Sequence, residues 1–174
     1  MSAYTISAAS AAPTIWVRKN EAGKIVTHEQ TQDERMAHAV PPKGEYQLRV
    51  VSFAEPFEMP RAEQYGGGVQ TMTRLELEIA NGKGAGKRCT LLCGWSIGPR
   101  SNLGKVYRAV TGKPVENGGE YDLTAILGGE FTAYLQPSEA VDDTGKPRGT
   151  RCSWDTVAAV GAETTAGGDS DDWA

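Results

Sequence analysis

Histidine and cysteine are scarce in this 174-residue chain, which limits the chemistry that it can carry. It has two histidines, His28 and His38, and neither has a nearby pattern of nucleophile and carboxylate that is typical of catalysis. Its three cysteines, Cys89, Cys93 and Cys152, are an odd number, so we expect a reducing compartment and no disulfide scaffold. Metal ligands, cofactors and catalytic residues are not predicted, and we interpret the chain as a non-enzyme.

Long apolar runs are also lacking, because no stretch approaches the roughly 20 residues that cross a bilayer. Residues 1–12 have neither the basic part nor the apolar part of a signal peptide. These two absences predict a soluble, cytoplasmic protein.

The two signs of charge are segregated along the chain. Residues 79–115 contain seven basic residues and no acidic one, whereas residues 154–174 contain five acidic residues and no basic one. The net charge of −4 becomes +1 when residues 154–174 are left out. The acidity therefore belongs to the C-terminal end, and the body of the chain contains a basic segment.

Glycine and proline are frequent, with 21 and 9 residues, which indicates many turns and few long helices. Residues 1–42 are interpreted as an N-terminal arm with a small hairpin, formed by residues 14–17 and 24–27. A polar, helix-permissive segment, 30–39, precedes Pro41-Pro42. The main domain is expected at 43–160, followed by an acidic flexible tail at 161–174.

Alternation of apolar and polar residues predicts five long strands in the main domain, at residues 44–54, 69–79, 87–95, 130–136 and 150–160. The loop between the first two strands contains Pro56 and Pro60. Asn81-Gly82 between the second and third strands predicts an antiparallel hairpin, since both residues tolerate positive φ.

One helix is predicted between the third and fourth strands, because Leu103, Val106, Tyr107 and Val110 have helical spacing. Ser101 is its expected N-cap. Gly112 is its expected C-terminal stop, and Asp122 is expected to cap a second short helical turn.

Three strands, a helix and two further strands, with long loops after the first and fourth strands, resemble the OB-fold barrel. The segments 95–103 and 128–131, and the acidic end at 169–174, look like those of OB-type single-stranded-DNA-binding proteins of phage replication and recombination modules. The resemblance covers about residues 43–160 and the tail. It implies a mainly β fold with a five-stranded OB-like barrel, one helix between strands 3 and 4, and an N-terminal hairpin extension.

The resemblance also implies a function: binding of single-stranded DNA with little sequence preference, in the cytoplasm of a bacterial host if the chain is phage-encoded. Such binding needs cations that follow the DNA backbone. The glycine-rich segment 82–88 is interpreted as a basic turn that contacts phosphates, or else as a solvated hairpin tip. It is not a Walker loop, because a strand and not a helix follows it. The candidate cations are Arg74, Lys83, Lys87, Arg88, Arg100, Lys105 and Arg108, of which the last two have the alternative role of solubilising the helix.

Bases stack on exposed aromatic side chains, and three are candidates for this role. Tyr65 lies in the first long loop, Trp95 ends the third strand, and Tyr134 alternates away from the apolar residues of the fourth strand. The alternatives are that Trp95 closes the barrel end and that Tyr134 covers the helix. Cys89 and Cys93, which share one face of the third strand, are interpreted as small buried hydrophobic residues.

The tail residues Asp169, Asp171, Asp172 and Trp173 are expected to bind replication or recombination proteins, the alternative being an inert solubilising tail. A homo-oligomer is compatible with the sequence. A second functional hypothesis is a structural or assembly protein, of a virion or a scaffold, that uses its β-barrel for protein–protein contacts. The body charge of only +1 favours this second hypothesis.

Overall fold

The computed structural model describes residues 15–29, 38–147 and 149–161 of the chain. The N-terminal arm, most of the helix-permissive segment 30–39 and all but the first residue of the expected tail lie outside these described residues. The predictions for those segments, including the four tail residues at 169–173, therefore stay predictions.

The described residues form a mainly β fold with eight strands and one α-helix. The strands are β1 (Ile15–Lys19), β2 (Ile25–Glu29), β3 (Gly44–Ala54), β4 (Phe57–Pro60), β5 (Val69–Ile79), β6 (Arg88–Gly94), β7 (Glu130–Pro137) and β8 (Thr150–Ala159). Helix α1 (Asn102–Thr111) lies between β6 and β7, and single 3-10 turns occur at Glu63–Tyr65 and Leu123–Ile126. The N-terminal hairpin, the five long strands and the helix are thus confirmed. The sequence did not predict β4, because its residues lie in a proline-containing segment that was interpreted as loop.

Strand β3 is the centre of the sheet. Its first half pairs with β7 and its second half with β5, while its last residues pair with β1 of the hairpin. Strand β5 also pairs with β4 and β6, and β7 also pairs with β8, all antiparallel. One long path therefore runs in the order β6-β5-β3-β7-β8.

The two ends of this path approach each other without pairing. Strands β6 and β8 contact each other, but no strand ladder joins them among the described residues. The structure is therefore an open antiparallel sheet, and the closure of a barrel by hydrogen bonds is not seen in the described part of the chain.

Register shifts mark two positions where the ladders are interrupted. In β3 the pairing with β5 shifts between Val50 and Ser52, and a bulge of this kind bends a strand. In β8 the pairing with β7 jumps from Ser153 to Ala158. There the hydroxyl of Thr156 accepts a hydrogen bond from the backbone N–H of Tyr134 (2.8 Å) and donates one to the carbonyl of Ser153 (2.6 Å). A side chain thus replaces part of the missing ladder.

Alternation along the strands creates the core. Most of the hydrophobic core comes from every second residue of β3, β5, β6 and β7 and from one face of α1: Tyr46, Leu48, Val50, Leu75, Leu77, Ile79, Cys89, Leu91, Cys93, Phe131, Ala133, Leu135, Leu103, Val106 and Tyr107. This confirms the predicted inward faces of the strands β3, β5, β6 and β7. The opposite face, which we call the outer face, carries the polar residues.

Helix α1 begins and ends where the sequence predicted. The Ser101 hydroxyl accepts hydrogen bonds from the backbone N–H groups of Gly104 and Gly98, both at 2.9 Å. Gly112 has a left-handed conformation, with φ of 71°, and its N–H reaches the Arg108 carbonyl. The helix contacts β6, β7, β8 and the 3-10 turn Leu123–Ile126, which Asp122 caps.

The hairpin between β5 and β6 differs in detail from its prediction. Gly82 and Gly86 have positive φ but Asn81 does not, and the connection spans residues 80–87 and not two residues. The N–H of Gly86 donates to the Ile79 carbonyl at 2.9 Å and so closes the loop.

No helix in the described part of the chain is both long and apolar enough to span a membrane.

We predict that Gly104→Ala destabilises the protein, although alanine is the better helix former. A Cβ at Gly104 would lie 2.1 Å from the Gly98 carbonyl oxygen and 2.8 Å from the Ser101 hydroxyl, so the N-cap has to move. We expect a loss of about 1–3 kcal/mol in the free energy of unfolding, measured by denaturant titration. Arg108→Ala, on the exposed side of the same helix, is the control and changes stability by less than about 0.5 kcal/mol. A Gly104→Ala protein as stable as the control would contradict this packing.

Candidate nucleic-acid interface

The predicted binding residues do not form one patch. Lys83, Lys87 and Arg88 lie where β6 begins, whereas Trp95 and Arg100 follow the end of β6. Seven residues separate Arg88 from Trp95, which corresponds to about 23 Å of extended strand. The candidates therefore form two groups, one at each end of β6, together with side chains on the outer face.

The group at the start of β6 contains three cations, Lys83, Lys87 and Arg88. Lys83 and Lys87 are exposed in the glycine-containing loop. The Arg88 side chain is 48% exposed, and its guanidinium lies 3.8 Å from a carboxylate oxygen of Glu76 and 3.7 Å from one of Glu78. The two acids of β5 thus offset the charge of Arg88 on the neighbouring strand.

The centre of the outer face is a network of ion pairs. The Arg49 guanidinium lies 2.8 Å from carboxylate oxygens of both Glu78 and Glu130. Hydrogen bonds from Gln47 and from Arg49 lower the pKa of Glu130 against the opposing effect of its partial burial. The same ion pairs raise the pKa of Arg49. The positive charge of Arg49 and the negative charges of Glu78 and Glu130 are therefore paired with one another within the network.

The cations on helix α1 and in the turn before it differ in whether they form an ion pair. Lys105 lies 3.3 Å from a carboxylate oxygen of Asp155 in β8, in an exposed pair. Arg108 is exposed on α1, and Arg100 is exposed in the turn before it. Neither of these two arginines makes an ion pair with any residue that the structure describes.

The remaining candidates lie on the outer face and in the loop before β5. Tyr134 is half-buried and alternates with the core residues of β7, so it lies on the face away from α1. Arg74 of β5 has its guanidinium carbon 5.6 Å from the centroid of the Phe57 ring of β4, a cation–π contact. Tyr65, in the 3-10 turn Glu63–Tyr65, is 70% exposed.

Trp95 borders a cleft at the end of the sheet. The cleft has a volume of about 380 Å³, and its lining residues are Phe53, Trp95, Ser96, Ile97, Leu103, Tyr121, Asp122, Leu123 and Thr124. Trp95 is 36% exposed, and its ring centroid lies 6.1 Å from that of Phe53. Trp95 thus forms part of an open cleft, close to the turn that carries Arg100.

A buried polar cluster attaches the segment before β3 to the outer face. One carboxylate oxygen of Glu76 accepts a hydrogen bond from the Ser52 hydroxyl (2.9 Å), and the other oxygen lies 2.9 Å from His38 Nε2. The N–H of Ala39 donates to the Arg88 carbonyl at 2.7 Å. Burial by itself raises the pKa of Glu76, but the hydrogen bonds from His38 and Ser52 and the nearby positive charges outweigh it and lower the pKa.

Sequence reasoning missed His38 and Glu76, and it missed Phe53, Tyr121 and Asp122 as cleft residues. His38 lies 38 residues from Glu76 in sequence, so no local pattern links them. The cleft residues come from three segments, and the aromatic character of Phe53 and Tyr121 is the one signal that could have identified them.

The three cysteines are free thiols, of which Cys89 and Cys93 are buried and Cys152 is half-buried. Burial raises the pKa of the Cys89 and Cys93 thiols to about 12, and that of Cys152 likewise to about 12. Their thiols are therefore protonated, as expected for small buried side chains. No group of three or more potential metal ligands occurs among the described residues.

We predict that Glu76→Gln lowers stability at pH 7 by about 1–3 kcal/mol and that the deficit shrinks in acid. A carboxyl whose pKa is lowered by folding stabilises the native state above its unfolded pKa. That contribution is lost as the pH falls through the folded value. Denaturant titrations of the unmodified protein and the variant at pH 3 and pH 7 measure the stability deficit at each pH. Glu58→Gln, at an exposed position of β4, is the control, and a pH-independent deficit in Glu76→Gln would contradict the predicted linkage.

Comparison of the chain with protein-family models, with curated proteins and with solved structures found no match.

Proposed function

We propose that the chain contains an OB-like domain that binds single-stranded DNA with little sequence preference. The observation that carries this proposal is the strand order β6-β5-β3-β7-β8, with α1 between β6 and β7 in sequence. It corresponds to the five strands and one helix of the OB fold, which is a partly open barrel. The contact between β6 and β8 supports such a barrel, here without hydrogen-bonded closure among the described residues.

OB folds bind oligonucleotides on the face of their second and third strands and with the loops that follow the first and fourth. In this chain those strands are β5 and β6, and the first of those loops contains β4 and Tyr65. Arg74, Arg88 and Tyr65 belong to these elements. On the basis of this correspondence we propose that the interface lies on the outer face of β5 and β6.

The charge distribution shapes the proposed mechanism. Glu76 and Glu78 offset the charge of Arg88 at the start of β6, so the proposal assigns the phosphate contacts to other cations near the two ends of this strand. Lys83 and Lys87 supply cations at one end and Arg100 supplies one at the other. The DNA strand then runs along β6, and bases stack on Trp95 or Tyr65 for about 1–3 kcal/mol each. Tyr134 lies on β7, which pairs with β3 and β8, and so it is not part of this path.

Under the same proposal the tail residues Asp169, Asp171, Asp172 and Trp173 bind replication or recombination proteins in a bacterial cytoplasm. Their carboxylates suit a basic pocket on such a partner, and Trp173 adds an apolar anchor.

We expect the full chain to bind a single-stranded oligonucleotide in preference to duplex DNA, with an affinity that falls as salt rises. The triple variant Lys83→Ala, Lys87→Ala and Arg100→Ala loses affinity. Each lost phosphate contact reduces the slope of log affinity against log salt by about 0.7, hence by about 2 in total. Fluorescence anisotropy across a salt series measures both quantities.

The matched control for that experiment removes three positive charges elsewhere, at Lys19, Lys24 and Lys43, all of which are exposed. This control distinguishes an effect of lost phosphate contacts on affinity from an effect of the lower net charge. If both triple variants bind alike, the two ends of β6 do not contact DNA. If the unmodified chain binds neither form of DNA at about 50 mM salt, the proposed function is wrong.

Assembly is the second candidate function, and the hairpin favours it. Strand β2 pairs with β1 on one side, and its other edge has no strand partner among the described residues. Ile25 on this strand is 45% exposed. An open strand edge of this kind is a template for pairing with another chain.

If the chain assembles through β2, sedimentation at micromolar concentration detects oligomers, and Ile25→Lys shifts them to monomers because a charge on an edge strand opposes pairing. Lys24→Glu, one residue away in the turn, is the control for an altered charge. A monomeric unmodified chain would exclude this mode of assembly.

A further inference from the structure

The cleft beside Trp95 has the size and lining of a small-ligand site. Its volume of about 380 Å³ lies within the range of about 300–1,000 Å³ that is typical of such sites. Three aromatic residues from separate segments line it: Phe53 at the end of β3, Trp95 after β6, and Tyr121 before the 3-10 turn Leu123–Ile126. A flat aromatic ligand fits walls of this composition, because ring faces stack.

The polar side of the cleft carries a hydrogen-bond acceptor. Oδ1 of Asp122 accepts from the Thr124 N–H (3.0 Å) and from the Thr124 hydroxyl (2.7 Å). Both of these bonds use the same oxygen, and Oδ2 has no hydrogen bond to a described residue. The bonds from Thr124 also lower the pKa of Asp122, which keeps the carboxylate ionised. An ionised carboxylate accepts hydrogen bonds and donates none.

Arg100 lies close in sequence to residues that line the cleft, although it is not itself a lining residue. Ser96 and Leu103, which line the cleft, flank the tight turn at residues 98–101, where Ser101 N–H bonds the Gly98 carbonyl. Arg100 is exposed in this turn and has no ion pair with a described residue. The site thus offers an aromatic surface, a carboxylate acceptor and a neighbouring cation.

We infer that this cleft binds one unstacked nucleobase of the DNA strand, that it favours bases with an exocyclic amino group over thymine, and that Arg100 contacts the phosphate of that nucleotide. This inference rests on the proposed function and specifies its substrate at one position. Cytosine and adenine present an amino group to a carboxylate, as when aspartate accepts from cytosine N4. Thymine instead presents carbonyl oxygens beside its single N–H, and an anionic acceptor repels these oxygens. A preference at one nucleotide leaves recognition of the remaining strand independent of sequence.

The test compares oligo-dC, oligo-dA and oligo-dT of equal length by fluorescence anisotropy with the full chain. We expect the first two to bind about two- to tenfold more tightly than oligo-dT. Trp95→Ala lowers the affinity for all three by about tenfold, because a stacking surface is lost.

Asp122→Asn is the decisive variant. Asparagine caps a helical turn as well as aspartate does, so the fold is kept, but its amide also donates a hydrogen bond to thymine. We expect this variant to lose the preference for amino-bearing bases while its affinity for oligo-dT stays the same or rises. Asp142→Asn is the matched control, because Asp142 makes the same two bonds to Thr144, at 2.8 and 2.6 Å, far from the cleft in sequence.

The outcomes separate the two proposals. If all three oligonucleotides bind equally well and Asp122→Asn changes nothing, the inference is wrong and the proposed function stands. The same conclusion follows if Trp95→Ala leaves DNA binding unchanged, and the cleft is then free to hold an aromatic side chain of a protein. If no oligonucleotide binds, the proposed function is wrong and the inference falls with it.

Discussion

The division of β3 between two partners is the constraint on which the rest of the sheet depends. Residues 44–49 pair with β7 and residues 48–53 pair with β5, so one strand joins both halves of the sheet. The bulge between Val50 and Ser52 follows directly after the residues that pair with β7, and a bulge of this kind bends a strand. Because the hairpin β1–β2 attaches to the last residues of β3, its position follows from the same strand.

The fold was largely predictable because its signals are local. Alternation in residues 44–54 and 69–79 determines which side chains enter the core, and Ser101 and Gly112 define α1 through bonds within a few residues. Strand β4 was not predicted, because its residues belong to a proline-containing segment that was interpreted as loop, although they pair with β5. The expected closure of a barrel is not seen among the described residues; it would depend on β6 and β8, which lie about 60 residues apart in the chain and share no local signal.

The distribution of charge over the surface was harder to predict, because charge acts across strands. The acid-free run at residues 79–115 suggested a basic surface, yet the carboxylates that face it belong to other segments. Arg88 meets Glu76 and Glu78 of β5, and Lys105 meets Asp155 of β8. Counting charge along the chain therefore overstates the positive potential of this domain, and neighbours in the sheet have to be counted too.

The interruption in β8 has a consequence for the free edge of the sheet. Four residues, from Trp154 to Val157, stand opposite a single residue of β7, and the Thr156 side chain occupies the place of regular backbone bonds. A strand from another molecule that approached this edge would find amides and carbonyls out of step with its own. Natural β proteins use such irregular edges against aggregation. Here the extra residues of β8 break the regular spacing of backbone groups on that strand, whereas β2, at another edge of the sheet, keeps a regular register.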